Sequence, residues 1–303
     1  MISVGLGSFD IGFFLGLTTA LLFGAAIIPA RKAVIQTSAV VGCFLSLLAG
    51  LPVLIIAIVI SGEFSSIPSI SPLFVVYLSA AGILNFGIGR TLSFISAGIL
   101  GANRSAPFFA TAALHSIMFG GIVLAEDVGP EVISGAALVV SGVTIISLTQ
   151  SGRKEKISRR QKVIGISAGL GVGLFNAMSW LLIKGALSEL QAPILASATS
   201  YIMTIAITLP FVINKWRSDS PPLRDVNKLL YAVTGFLAAG GQMAKFAALG
   251  TAAVSVVGSL VNVAPLFTLV FSFIFIRNLE VTRYQVLSGA LLVVVGAIVA
   301  GRS

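Results

Sequence analysis

Long apolar runs follow one another along nearly the whole chain, each close to the ~20 residues a helix needs to cross the hydrocarbon core of a bilayer. They fall near 11–30, 37–61, 72–98, 104–124, 131–149, 163–186, 192–213, 229–250, 253–276 and 283–301, bounded by charge, Pro or Gly/Ser clusters. The pattern predicts an all-α integral membrane protein with ten transmembrane helices. Only 150–162 and 214–228 are polar connectors of any length, which leaves no room for a soluble catalytic domain. Composition agrees, with 57% of the residues hydrophobic and 10% charged, against roughly 25% charged in soluble chains. Met1–Phe9 carries no Lys or Arg, so no cleaved signal peptide is expected. The single Cys43 cannot form an intramolecular disulfide.

The net charge of +9 has to be sorted by side before it means anything. The connector carries Arg153, Lys154, Lys156, Arg159, Arg160 and Lys162. Arg31, Lys32, Arg104, Lys215, Arg217, Arg224, Lys228, Arg277 and Arg283 fall on the same side, with only Lys184, Lys245 and Arg302 opposite. Basic residues near span ends are retained in the cytoplasm, so this side is expected inside and both termini outside, in a plasma or inner membrane. The excess is read as topogenic, with lipid headgroups as the partner it meets and no nucleic acid.

The chain also resembles itself. Leu22-Phe23-Gly24-Ala25 lies over Leu174-Phe175-Asn176-Ala177, and Lys32 over Lys184, at one offset of 152. Gly89 falls on Gly241, Phe94 on Phe246 and Gly98 on Gly250. The offset then becomes 154, where Glu126 meets Glu280 and Ser134–Gly142 overlays Ser288–Gly296. The expected units are a first five-helix repeat over 10–150, a basic connector over 151–162 and a second five-helix repeat over 163–301. An odd number of spans per unit makes the second copy enter from the opposite side, so the repeats are expected to be inverted.

These residues resemble the drug/metabolite transporter superfamily, specifically proteins with two EamA domains. The likeness rests on Phe246-Ala247-Ala248-Leu249-Gly250, Ala264-Pro265-Leu266-Phe267-Thr268 and Leu279-Glu280 in the second half. Arg104-Ser105-Ala106-Pro107 and Ala125-Glu126 carry it in the first, with Thr111 where the overlay puts Pro265. The resemblance implies outward transport, and likeness to small multidrug transporters implies that the last helices of the two repeats pair. Gly135/Gly142 and Gly289/Gly296 each fall on one helix face, and Gly165, Gly169 and Gly173 form a ladder. Such small residues let helices approach within one molecule or between two, leaving monomer and homodimer both open.

Polar groups inside the bilayer are the remaining candidates, because a charge there costs several kcal/mol unless a cavity or partner receives it. Arg90 lies about five residues past the middle of its span, roughly 7 Å, and matches Gln242 in the overlay, with Lys245 on the same face three residues on. A guanidinium binds carboxylate or phosphate in a two-pronged geometry, which favours an anionic or zwitterionic substrate. Asn85, Asn176 and Asn262 are neutral orienting groups near span centres, and Trp180 shares a face with Asn176. His115, the one histidine, is a proton-coupling candidate. Pro107 and Pro265 are candidate helix kinks. Each has a plainer reading as snorkelling, packing or local hydrogen bonding.

No metal-ligand set, nucleophile pair or phosphate loop stands out, so neither enzyme activity nor a cofactor or metal is expected. The expected function is a secondary transporter moving small polar metabolites, amino acids or other carboxylate-bearing compounds, by alternating access. A multidrug or cation efflux carrier and a structural or lipid-handling membrane protein are the alternatives.

Overall fold

The computed structural model describes residues 10–34, 39–100, 102–149, 158–219, 227–275 and 284–301, and among these every regular element is a helix. In the first half they are α1 (Ile11–Val34), α2 (Ala39–Ser61), a 3₁₀ segment (Glu63–Ser69), α3 (Pro72–Gly82), a π-helical segment (Ile83–Gly89), α4 (Arg90–Leu100), α5 (Ala102–Ala110), α6 (Ala112–Val123) and α7 (Pro130–Thr149). The second half has α8 (Arg159–Glu189), α9 (Pro193–Asp219), α10 (Lys228–Thr251), α11 (Val254–Val261), α12 (Ala264–Phe275) and α13 (Tyr284–Ala300). Residues 151–157 of the basic connector, together with Arg224, Arg277, Glu280 and Arg283, lie outside the described residues.

Helix ends follow local chemistry. Ser71 accepts a hydrogen bond from the Phe74 amide at 3.0 Å, with Pro72 as the first helical residue of α3. Ser158 and Gln161 form a reciprocal capping box, which starts α8 at Arg159, ahead of the expected Val163. α2 stops at Gly62, whose φ of +77° disfavours any L side chain.

Among the described residues, seven helical stretches are long and apolar enough to cross a membrane: Ile11–Ala30, Val41–Ser61, Pro72–Ser93, Ser105–Val123, Pro130–Thr149, Arg159–Glu189 and Pro193–Asn214. Val254–Thr268 and Leu287–Ala300 are shorter apolar helices. The 24-residue α10 is not among the seven. Its Gln242, Lys245 and many Gly and Ala residues make it less apolar than its length suggests.

Two expected spans are interrupted. The stretch expected over 104–124 breaks at Thr111, after α5, and that expected over 253–276 breaks at Asn262–Val263, between α11 and α12. Neither break falls on a proline. Pro265 sits in the first turn of α12, where a missing N–H costs nothing, and Pro107 lies inside α5, ahead of its break.

The halves interlock by exchange. The first helix of each half lies along the third of the other, α1 on α10 and α8 on α3 and α4, while α2 meets α9, α6 meets α11 and α7 meets α13. The α7–α13 contact gives the directions. A methyl added at Gly135 would strike the Gly296 carbonyl at 2.6 Å, and one at Gly142 the Gly289 carbonyl at 2.5 Å. As α7 rises from 135 to 142, α13 falls from 296 to 289, so the two run antiparallel. Each glycine also faces the counterpart of the other under the 154-residue offset.

Candidate functional site

At the end of the bundle where α2, α6, α8 and α10 finish, two carboxylates of the first half reach across to helices of the second. Glu126 accepts hydrogen bonds from the Val254 amide (2.6 Å), the Ser255 amide (3.1 Å) and the Ser255 hydroxyl (2.8 Å), capping the start of α11. Glu63 accepts one from the Leu195 amide at 2.7 Å in the first turn of α9. Both anions lie where the unpaired N–H groups and dipole of a helix start favour negative charge. Burial pushes the Glu63 carboxyl up from its ordinary value, opposed by the amides of Leu195 and Ile194. Lys184 completes the set, its ammonium donating to the Ala252 carbonyl at 2.8 Å beside the same junction. Beneath it Phe74, Leu78, Trp180, Ile183, Leu187, Phe246 and Leu249 pack as one buried cluster, so this end is closed.

The chain is bent to deliver Glu126. Ala125 has φ of 52°, an uncommon conformation for a residue with a side chain, and the Glu126 amide returns to the Gly120 carbonyl at 3.0 Å. The carboxylate then lies against Gly120, where a Cβ would collide with it.

Toward the other end lies a chamber of about 570 Å³. Its walls come from the first part of α2 (Cys43, Phe44, Leu47), the π segment (Ile83, Phe86–Ile88), α4 (Arg90–Leu92) and the second part of α9 (Thr204, Ile207, Thr208, Phe211, Val212). The π segment shapes this wall. A Cβ at Gly89 would press on the Leu84 carbonyl at 2.8 Å, so the widened turn closes over a glycine, and the Asn176 amide oxygen lies against the same point. Arg90 follows as the first residue of α4. Among the described residues its guanidinium makes no hydrogen bond or ion pair.

The other sequence candidates are spread over four surroundings. Asn85 lies within the π segment and Asn176 against it, so these two stand near Arg90. Gln242 and Lys245 are both buried on α10, as their spacing predicts. The Lys245 Nζ lies 5.9 Å from the centre of the Phe23 ring and 5.6 Å from that of Phe246, and the Gln242 amide oxygen is buried with no hydrogen-bond partner among the described residues. Trp180 is buried, its indole N–H without a partner among the described residues and its ring close to Gly258, whose carbonyl accepts from Asn262 at 2.7 Å. His115 is half-buried beside exposed Leu114, and its Nδ1 lies 2.9 Å from the Thr111 carbonyl at the α5–α6 break.

Glu63, Glu126 and Lys184 were not candidates from sequence, since they read as residues at the ends of spans. The signal was nevertheless present: Glu126 aligns with Glu280 and Lys184 with Lys32 across the duplication.

The comparisons with known proteins bear on fold and family. The model of the EamA-like transporter family matches twice, over residues 10–148 and 163–302. A protein of known crystal structure is similar with a TM-score of 0.76 and 15% identity, over 95% of this chain and 97% of that one, a likeness of fold alone. The comparison with curated proteins gives no match.

Proposed function

Because this chain belongs to the EamA-like transporter family, we propose that it is a secondary carrier of small carboxylate-bearing compounds, working by alternating access and moving them outward. It is a multi-pass integral membrane protein and a membrane transporter of the drug/metabolite superfamily. In this reading α10, the joined pairs α3–α4, α5–α6 and α11–α12, and the remaining long helices make ten crossings of a plasma or inner membrane, as two inverted five-helix repeats. The antiparallel, exchanged glycine contacts of α7 and α13 support the inversion. A pair of near-equivalent packings of interlocked repeats is what alternating access requires.

One observation carries the reading: a guanidinium with no partner among the described residues, on the wall of a chamber within an apolar bundle. An uncompensated charge at such depth is costly, and an anion entering the chamber supplies the missing partner. The chamber lies toward the end that bears the basic loops, while the opposite end is held by Glu63, Glu126 and Lys184. With basic loops cytoplasmic, this is the inward-facing form. Export then needs the carboxylate caps released as the basic end closes.

The test is counterflow in vesicles loaded with unlabelled carboxylates. Saturable exchange of a labelled carboxylate, lost in Arg90→Gln protein that still elutes as a folded species, is the expected result. Arg90-independent exchange, or cations exchanging in preference to anions, would overturn it. A reporter fused near Lys156 should read as cytoplasmic.

A further inference from the structure

We infer that the Arg90 chamber takes an amphiphilic monocarboxylate, one anionic head on an apolar body, and not a zwitterionic or multiply charged metabolite. The inference rests on the carrier reading for its context and on the chamber wall for its content.

The wall is informative through what its polar groups are already doing. Three hydroxyls face it, and each donates to its own helix: Thr91 to the Gly87 carbonyl, Thr204 to that of Ser200 and Thr208 to that of Thr204, all at 2.7 Å. Among the described residues, that leaves Arg90 as the one side chain of the lining with strong uncommitted donors. The remaining described lining side chains are Cys43 and aliphatic or phenyl groups, and no carboxylate is among them.

Ligand chemistry follows from this inventory. Among the described lining residues a single guanidinium, with no second cation beside it, balances one negative charge, so a dicarboxylate would bury an unpaired charge. An amino acid would bring an ammonium with no anion to meet it, at the same kind of cost. A sugar-like body would leave hydroxyls unsatisfied against phenyl and aliphatic walls. A carboxylate with an alkyl or aryl body meets every condition, and the volume lies within the roughly 300–1,000 Å³ of small-molecule pockets.

The chamber also reaches the flank of the bundle. Ile88, Ile207 and Phe211 line it and are exposed, Phe211 at 74%. An amphiphile dissolved in the bilayer can therefore enter sideways, head toward Arg90 and tail along α9.

Binding of labelled decanoate to the full chain in lipid nanodiscs tests this. Saturable binding is expected, with methyl decanoate, succinate and phenylalanine each competing at least about tenfold more weakly than decanoate itself. Arg90→Gln should weaken binding by at least about tenfold and Arg90→Lys by less, since the charge remains. Thr208→Phe leaves the guanidinium but fills the apolar wall, so it should also weaken decanoate, and it carries the test if Arg90→Gln fails to fold. Equal competition by phenylalanine or by methyl decanoate overturns the inference, as does unchanged binding in a folded Arg90→Gln. Nanodiscs with and without phosphatidylglycerol should give the same decanoate affinity. Abolition by that lipid would mean a headgroup seat instead, and would also overturn it.

The two readings fail separately. If phenylalanine or succinate exchanges through Arg90 and decanoate neither binds nor exchanges, this inference falls and the carrier stands. If decanoate binds through Arg90 but no carboxylate is ever exchanged, the carrier falls and the site stands.

Discussion

The third helix of the first half and its counterpart α10 began as the same element, with Gly89 over Gly241 and Arg90 over Gln242, yet they now do different things. In the first half the helix opens into a π turn and presents to a chamber a cation with no partner among the described residues. In the second it is an uninterrupted α-helix whose Lys245 amine lies 5.9 and 5.6 Å from the Phe23 and Phe246 ring centres, with 2% of the residue's surface exposed. Scaffold contacts kept their two-fold relation, whereas the polar groups did not. In the carrier proposed above, symmetry is maintained where backbones touch and dispensed with at the chamber, because a ligand occupying one orientation would need only one anchor.

The sharpest way to break this comparison is to remove both cations in turn. Arg90→Gln is expected to lower carboxylate exchange by at least about tenfold, the value of a charge-assisted hydrogen bond at ~1.5–3 kcal/mol. Lys245→Met should reduce exchange far less. It should also raise the thermal midpoint, because a buried amine with no hydrogen-bond partner among the described residues costs more to desolvate than a thioether of similar length. Equal losses of exchange in both variants would show that the halves are functionally as well as structurally paired.

The conserved part of the symmetry has its own test. Alanine at Gly142 and alanine at Gly289 push against each other's helices at the same crossing, so both should destabilise the protein by ~1–3 kcal/mol and by similar amounts. Thermal denaturation in detergent measures this. A large disparity would mean that the antiparallel packing is not held equally from both sides.

The two ends of the bundle differ as the two halves do. Glu126→Gln replaces a carboxylate that accepts three hydrogen bonds by a group with one acceptor, at a cost of about 1.5–3 kcal/mol. The expected result is faster modification of an Ala252→Cys thiol, in a Cys43→Ser background, by a membrane-impermeant reagent. An unchanged rate would show that the carboxylate is not what holds that end shut.

How much of this was legible beforehand depends on which force decided it. Membrane spans were readable because hydrocarbon thickness imposes a length and an absence of charge, and the duplication because Gly and Glu align where apolar residues alone would prove nothing. The pairing of the last helices was implied by the likeness to small multidrug transporters, and Gly135/Gly142 and Gly289/Gly296 are where the two backbones meet. The π turn was hidden, since Gly87 and Gly89 allow it without requiring it, and the interruption at Thr111 carries no proline at its break. Arg90 could be singled out by the cost of its charge. Its surroundings could not, because Cys43, Thr204 and Phe211 come to it from α2 and α9 through tertiary packing. Glu63 and Glu126 read as loop acids for the same reason: the amides they cap are more than a hundred residues away.

Glu63 offers the mildest perturbation, because its carboxylate makes one close contact where Glu126 makes three. Its burial raises the pKa above the ordinary value near 4.5, so the packed form binds the proton more tightly than the unfolded or released form does. By linkage the stability of the packed form falls as pH rises from about 4.5 through the raised value, and is level above it. Glu63→Gln removes that contribution, so the thermal midpoint of the variant relative to the parent should climb across the same interval and then stay constant. A difference that instead declines with pH would mean that the Leu195 and Ile194 amides outweigh desolvation. The carboxylate would then be as firmly held at α9 as Glu126 is at α11, and the two caps would share one role in place of a strong and a weak one.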